Sequence, residues 1–398
     1  MSERIETRHI RSCACHSPQS KGRYYKDQPL TLDRTEYQRD RDRIIHSEAF
    51  RRLKHKTQVF IYQEGDHYRT RLTHTLEVAQ IARSIARSLK LNEDLAETIS
   101  LAHDLGHPPL GHKGEEILNK LMINAGGFDH NEQTIRVITL LEKKYPNFEG
   151  LNLTFETLEG LVKHNGPYRR VKEIPATIKN INKKFDLKLS LFPSLEAQVS
   201  NISDDVAYLT HDLDDGLREN LFNMEDLQNL KLPNLIIKKI KEKYAPIDKG
   251  ILTHQLIRGL ISFFINDIVT NSLHTLDKYN FKSVDDIRLF ETPIILMTLK
   301  TSNYMKELRE FLFKNMYHEK NIINKLSKAS IMIDKLFLLY KNDVKLLPMQ
   351  WRFHKQEDLS LVSDNIKSRV VADYIAGMTD IFLRAEYRNH FNMKENYL

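Results

Sequence analysis

Glycine and proline are scarce in this chain, 14 and 12 of 398 residues, and apolar residues recur mostly at three- and four-residue spacing. Residues so spaced share a face only on a helix, and the pattern predicts an all-α protein. The length allows one large domain or two, with a sizeable core. Hydrophobic residues at 41% and charged residues at 28% are ordinary for a globular protein and exclude wholesale disorder. No apolar run is long enough to span a bilayer, and the polar N-terminus lacks the apolar core of a secretory signal. A cytoplasmic protein with no membrane partner is expected. There is no G-x-G-x-x-G or Walker loop, no fixed-period repeat and no low-complexity segment.

The formal charge of +7 suits a polyanionic partner, whether nucleotide, nucleic acid or acidic surface, without choosing among them. The only cysteines, Cys13 and Cys15, are too close for an ordinary disulfide framework. With His9 and His16 they offer a soft-metal site; the plainer reading, adopted here, is a mobile N-terminal arm in a reducing compartment.

Along the chain, residues 1–32 read as that irregular arm. A charged helix follows from Thr35 to Leu53, then a short extended piece over Thr57–Tyr62, closed by Glu64, Gly65 and Asp66. Further helices are expected over 72–89, up to His103-Asp104, from Gly111 to Gly126, over 129–145, over 154–164 and over 194–220. The basic stretch 170–192 reads as a surface excursion, and 223–398 as helical with Lys-rich surfaces.

The stretch Thr98–His112 is the centre of this pattern. It sets His103 beside Asp104 where Gly106, Pro108 and Pro109 stop a helix whose start carries Asn92, Glu93 and Asp94. Imidazole with carboxylate suits Mn, Fe, Zn or Mg better than a thiolate metal. His74 interrupts another apolar helix, and Asp204 sits among Val199, Ile202 and Val206 in a third. Each polar group is costly to bury alone, and one shared cation satisfies all three helices. Two imidazoles and two carboxylates would hold it, leaving positions for water and substrate.

His74, His103-Asp104 and a distant Asp204 resemble the H…HD…D signature of HD metal-dependent phosphohydrolases. The runs 43–60, 70–78, 103–112 and 373–380 are similar to the dGTPase branch, the deoxynucleoside triphosphate triphosphohydrolases, over about 20–389. The resemblance implies His74, His103, Asp104 and Asp204 as ligands of a divalent metal (Mn²⁺, Mg²⁺ or Fe²⁺). Asp204 is taken over Asp205 because it keeps Tyr208 and Asp212 at the family's offsets of four and eight. His112 and Glu115 match a catalytic pair, and His107 and His130 match histidines that contact phosphate. Arg71 resembles a phosphate-binding arginine, and Lys163, more loosely, a lysine reaching the triphosphate. Gln58 and Val59 resemble a pair at the base and sugar edge; Tyr208 and Asp212 match residues near the sugar.

The implied reaction is metal-assisted attack of water at the α-phosphorus, releasing a deoxynucleoside and inorganic triphosphate, with His112 as proton donor supported by Glu115. Two other readings stand beside it. One is an HD phosphohydrolase on another nucleotide, an alarmone or a monophosphate. The other is a nucleic-acid binder using basic residues within 168–188 and 237–243, against which stands a merely solvated face. Relatives imply a homo-oligomer, tetramer or hexamer, and leave room for a dNTP or single-stranded nucleic acid effector. The expected organisation is an N-terminal arm and helix over 1–69, an HD core over 70–222 and a contiguous helical region over 223–398.

Overall fold

Short-range capping starts the helices that carry the site. In the computed structural model of the protein, which describes residues 9–27, 34–58, 69–317 and 319–391, Asn92 Oδ1 accepts from Leu95 N at 3.1 Å and opens the helix Glu93–Ala102. Thr70 and Thr73 form a reciprocal capping box at the start of Arg71–Ser88. Ser194 caps Leu195–Arg218. These three helices pack on one another, and Val78, Ile81, Ile85, Val199, Val206 and Leu213 are buried in a common apolar cluster. At roughly 1.5–3 kcal/mol for each large apolar side chain, that burial dominates the local energetics.

The same cluster continues across position 222 into the helices Lys249–Tyr279 and Leu299–Leu312 through Leu256, Phe264, Leu308 and Leu312. A separate cluster joins Leu118 and Met122 to the C-terminal helices through Leu336, Phe337, Val371 and Leu383. Among the described residues the only sheet is a hairpin pairing Phe353–His354 with Glu357–Asp358. The fold is all-α.

Local details depart from the expected boundaries. The helix expected over Thr35–Leu53 is two, Glu36–Ile45 and Glu48–Arg52, because Ser47 Oγ accepts from Phe50 N and starts a new one. Glu142 then takes the amides of Glu48 and Ala49 at 3.2 and 2.8 Å. The helix expected over 129–145 ends sooner: His130–Arg136 passes into a π-helical turn, Val137–Leu141. The basic excursion contains a helix, Ala176–Lys184, docked by burial of Ile178 and by Thr177 N donating to Glu132 Oε1 at 3.1 Å. Of the expected extended piece, Thr57 bridges Thr70; positions 59–62 and 64–66 lie outside the described residues.

The arm, over its described residues 9–27, is packed rather than mobile. Cys13 and Cys15 are buried. Cys15 N donates to Glu196 Oε1 at 2.9 Å, its carbonyl accepts from Asn92 Nδ2 at 3.0 Å, and Arg23 pairs with Glu36 and Asp40. Desolvation raises both thiols' pKa, which favours the protonated form.

Candidate active site

The helix Glu93–Ala102 stops where the chain must turn, and His103 and Asp104 stand just past its end. Gly106 makes that turn possible: a Cβ there would lie 2.2 Å from both His130 O and Thr134 N. Gly106 N donates to Thr134 Oγ1 at 2.9 Å, and that hydroxyl donates to His103 O at 3.0 Å. The turn is thus locked onto the start of His130–Arg136.

His103 Nδ1 lies 2.6 Å from Ser100 O, which makes it the protonated nitrogen and leaves the Nε2 lone pair free. Nε2 is buried without a hydrogen-bond partner among the described residues, 3.5 Å from Asp104 Oδ1 and 3.6 Å from Asp204 Oδ1. His74 Nε2 lies 3.0 Å from the same Asp204 oxygen. One ligand atom each from His74, His103 and Asp204 falls within 4.8 Å of the others. Burial alone would lower the His103 pKa, yet Asp104 and Asp204 outweigh it and raise it to about 9. Two carboxylates facing one buried ring thus demand a cation, and a proton on His103 meets that demand when no metal does. The orphaned Nε2 and the mixed imidazole–carboxylate donors fit a divalent ion.

Asp104 is also gripped from outside this cluster. Its Oδ2 accepts from Arg71 Nη1 at 2.9 Å, and its Oδ1 lies 2.9 Å from His107 Nδ1. Behind His74, Nδ1 meets His211 Nδ1 at 3.2 Å, and His211 Nε2 meets Glu77 Oε2 at 2.6 Å. Burial lowers the His211 pKa to about 4, so a neutral ring accepts from His74 and donates to Glu77. That chain turns His74 Nε2 toward Asp204. Sequence reading missed His211, although it lies seven residues after Asp204, two turns along the same face. It also missed His164, whose Nε2 is 3.6 Å from Asp204 Oδ2 and whose ring stacks over His103 at 5.6 Å.

A second group adjoins the first. His107 and His130 stack with centroids 3.9 Å apart, and His112 stands 5.5 Å from His107 at the exposed edge. Glu115 Oε1 accepts from His130 N at 2.9 Å and lies 2.8 Å from His130 Nδ1, while Oε2 lies 3.5 Å from His112 Nδ1. Burial would raise the Glu115 carboxyl, but its contacts with His112 and His130 hold it far below the usual carboxylate range.

The remaining expected positions divide. Gln58 is buried, its amide oxygen unpartnered among the described residues; Val59 lies outside them. Asp212 accepts from the Tyr317 hydroxyl, and the Tyr317 ring is 6.4 Å from that of Tyr208. Burial pushes the Asp212 carboxyl up to about 8. Asp205 faces outward to pair with Arg309, leaving Asp204 to the histidines. Lys163 is the exception. Its side chain is fully buried, 2.9 Å from Glu159 Oε1, and Arg288 grips the same carboxylate at 2.9 and 2.8 Å. An ammonium held there is withdrawn from solvent and is a poor choice for reaching a triphosphate. Glu159→Ala should strand both cations and cost roughly 3–5 kcal/mol in urea denaturation; a loss below about 1 kcal/mol would mean the cations reach water instead.

Comparison with known proteins bears on this geometry. The HD domain family matches residues 71–188, and the phosphohydrolase-associated domain matches 295–389. The deoxyguanosinetriphosphate triphosphohydrolase-like protein of Bartonella henselae is 44% identical over 383 residues, 95% of this chain and 94% of its own. The like-named protein of Nitrobacter hamburgensis is 46% identical, covering 94% of each chain, and that of Rickettsia prowazekii 44%, covering 95% and 97%. The chain belongs to the deoxyguanosinetriphosphate triphosphohydrolase-like family. As a member, it is a metal-dependent phosphohydrolase. His74, His103 and Asp104 fall within the HD segment, and Asp204 lies beyond its end at 188. The associated segment braces the site: Asp380 accepts from Thr57 N at 2.9 Å and Leu110 N at 3.0 Å, and Asp373 pairs with Arg136 and Arg369. No described helix is long and apolar enough to cross a membrane.

Proposed function

We propose that the protein hydrolyses deoxynucleoside triphosphates to deoxynucleoside and inorganic triphosphate. The observation that carries this reading is the His74–His103–Asp204 cluster, with the Arg71 guanidinium and the His112–Glu115 pair beside it. His74, His103, Asp104 and Asp204 are assigned as ligands. When bound, a divalent ion supplies Lewis-acid chemistry, polarising a phosphoryl oxygen and making water acidic enough to attack at neutral pH. The choice of a dNTP follows the names of the relatives.

Arg71 is fixed by Asp104 and offers positive charge where phosphate oxygens gain negative charge. His107 and His130 line the same side and are assigned to the phosphates. Water gives up a proton to solvent and attacks the α-phosphorus, the bond from phosphorus to the 5′-oxygen breaks, and that oxygen takes a proton from His112, which solvent then reprotonates. His112 is the donor: it is 62% exposed, within reach of a substrate, whereas Glu115 stays ionised and steadies the protonated imidazole. Gln58, Val59, Tyr208 and Asp212 are assigned to base and sugar. Lys163 is left out, being held by Glu159.

Purified protein incubated with Mn²⁺ or Mg²⁺ and each dNTP should release deoxynucleoside and intact triphosphate. Pyrophosphate or orthophosphate released from a dNTP would mean cleavage at another bond and overturn the reading, and no release from any dNTP would favour another nucleotide class as substrate.

A further inference from the structure

The His107–His112–Glu115 group has the build of a metal site in its own right. One ring nitrogen from each histidine and one Glu115 oxygen lie within 4.8 Å of one another. His112 Nδ1 and Glu115 Oε2, at 3.5 Å, already stand near the spacing of about 3.3 Å that tetrahedral ligands at about 2.0–2.1 Å from zinc require. His107 is buried, and its Nε2 has no hydrogen-bond partner among the described residues. His112 is exposed, so its ring can swing to close the remaining gap.

The surroundings also resemble those of a ligand carboxylate. Glu115 Oε1 is engaged by the amide and ring nitrogens of His130, at 2.9 and 2.8 Å. That grip leaves Oε2 as the free oxygen and fixes its direction, as an outer hydrogen bond does for a ligating carboxylate. Two imidazoles and one carboxylate leave a fourth position for water.

We infer that His107, His112 and Glu115 bind a second transition-metal ion of the Zn²⁺ or Co²⁺ type, separate from the His74–His103–Asp204 centre. Two nitrogens to one oxygen favour such ions over Mg²⁺, which prefers oxygen ligands and keeps its waters. If the proposed reaction is right, filling this site removes the proton donor and its supporting carboxylate together. The second ion then inhibits, lowering the rate more than tenfold in a way that dialysis back into Mn²⁺ or Mg²⁺ alone reverses.

Equilibrium dialysis of the full chain against Co²⁺ or Zn²⁺, followed by elemental analysis, tests the site without reference to activity. Wild type should hold two equivalents, Glu115→Gln one, Asp204→Asn one, and the double variant none. A wild type with a single equivalent that Glu115→Gln retains would overturn the inference, leaving His112 and Glu115 as a proton-sharing pair only. So would two equivalents retained in Glu115→Gln. A single wild-type equivalent lost in Glu115→Gln but kept in Asp204→Asn would support this site and count against the first centre. Glu115→Gln preserves shape, and retained far-UV circular dichroism checks that the fold survives.

Discussion

His103→Ala and Asp204→Asn are each expected to lower the hydrolytic rate by roughly 10⁴-fold or more, about 5 kcal/mol in barrier. The reason is the shared oxygen: Asp204 Oδ1 lies 3.0 Å from His74 Nε2 and 3.6 Å from His103 Nε2. Either change takes one of the four assigned donors, and Asp204→Asn also takes the negative charge that both rings face, so the ion is held far more weakly and the Lewis acid is lost with it. Asp204→Asn keeps the volume, so its far-UV circular dichroism should match that of the wild type. His103→Ala also deletes the buried ring between the Asp104 and Asp204 carboxylates and should destabilise the fold somewhat more. Rate, bound metal and helicity are read together. Wild-type activity in either variant would remove the metal from the mechanism.

His112→Ala should reduce turnover by roughly 10²–10⁴-fold, the usual worth of a positioned proton donor. Because His112 is 62% exposed, stability should change by no more than about 0.5 kcal/mol. The ion at His74, His103 and Asp204 should be retained, which separates this variant from those above. The loss should shrink with substrates whose leaving oxygen needs little protonation, such as a nitrophenyl ester. An equal loss on both substrate types would reject the donor role and leave His112 as a binding residue.

The helices are legible in the amino-acid sequence because their signals are local. Asn92 before Glu93 and Asp94, Ser194 before Leu195, and Gly106 with Pro108 and Pro109 each act within one or two turns of the backbone. The same holds for the adjacency of His103 and Asp104 and for Tyr208 and Asp212 sharing a face with Asp204. Breaks that depend on a competing hydrogen bond are less visible, as where Ser47 divides the helix expected over Thr35–Leu53.

What a side chain pairs with once the helices dock is a different matter. Nothing near Lys163 in the chain announces that Arg288 shares Glu159 with it in the same dry pocket, closing the lysine to a substrate. Nothing in residues 9–27 announces that Glu196 takes the amide of Cys15 and holds the arm down. Asp205, turned about 100° from Asp204 by the helix, finds Arg309 as its partner, and His74 takes its orientation from His211 and Glu77. The sequence by itself therefore determined the all-α character, the starts of the helices that carry the site and the residue types available to a metal. Only the tertiary structure decided which of those groups meet, because several of these polar side chains take partners from segments more than a hundred residues away in the chain.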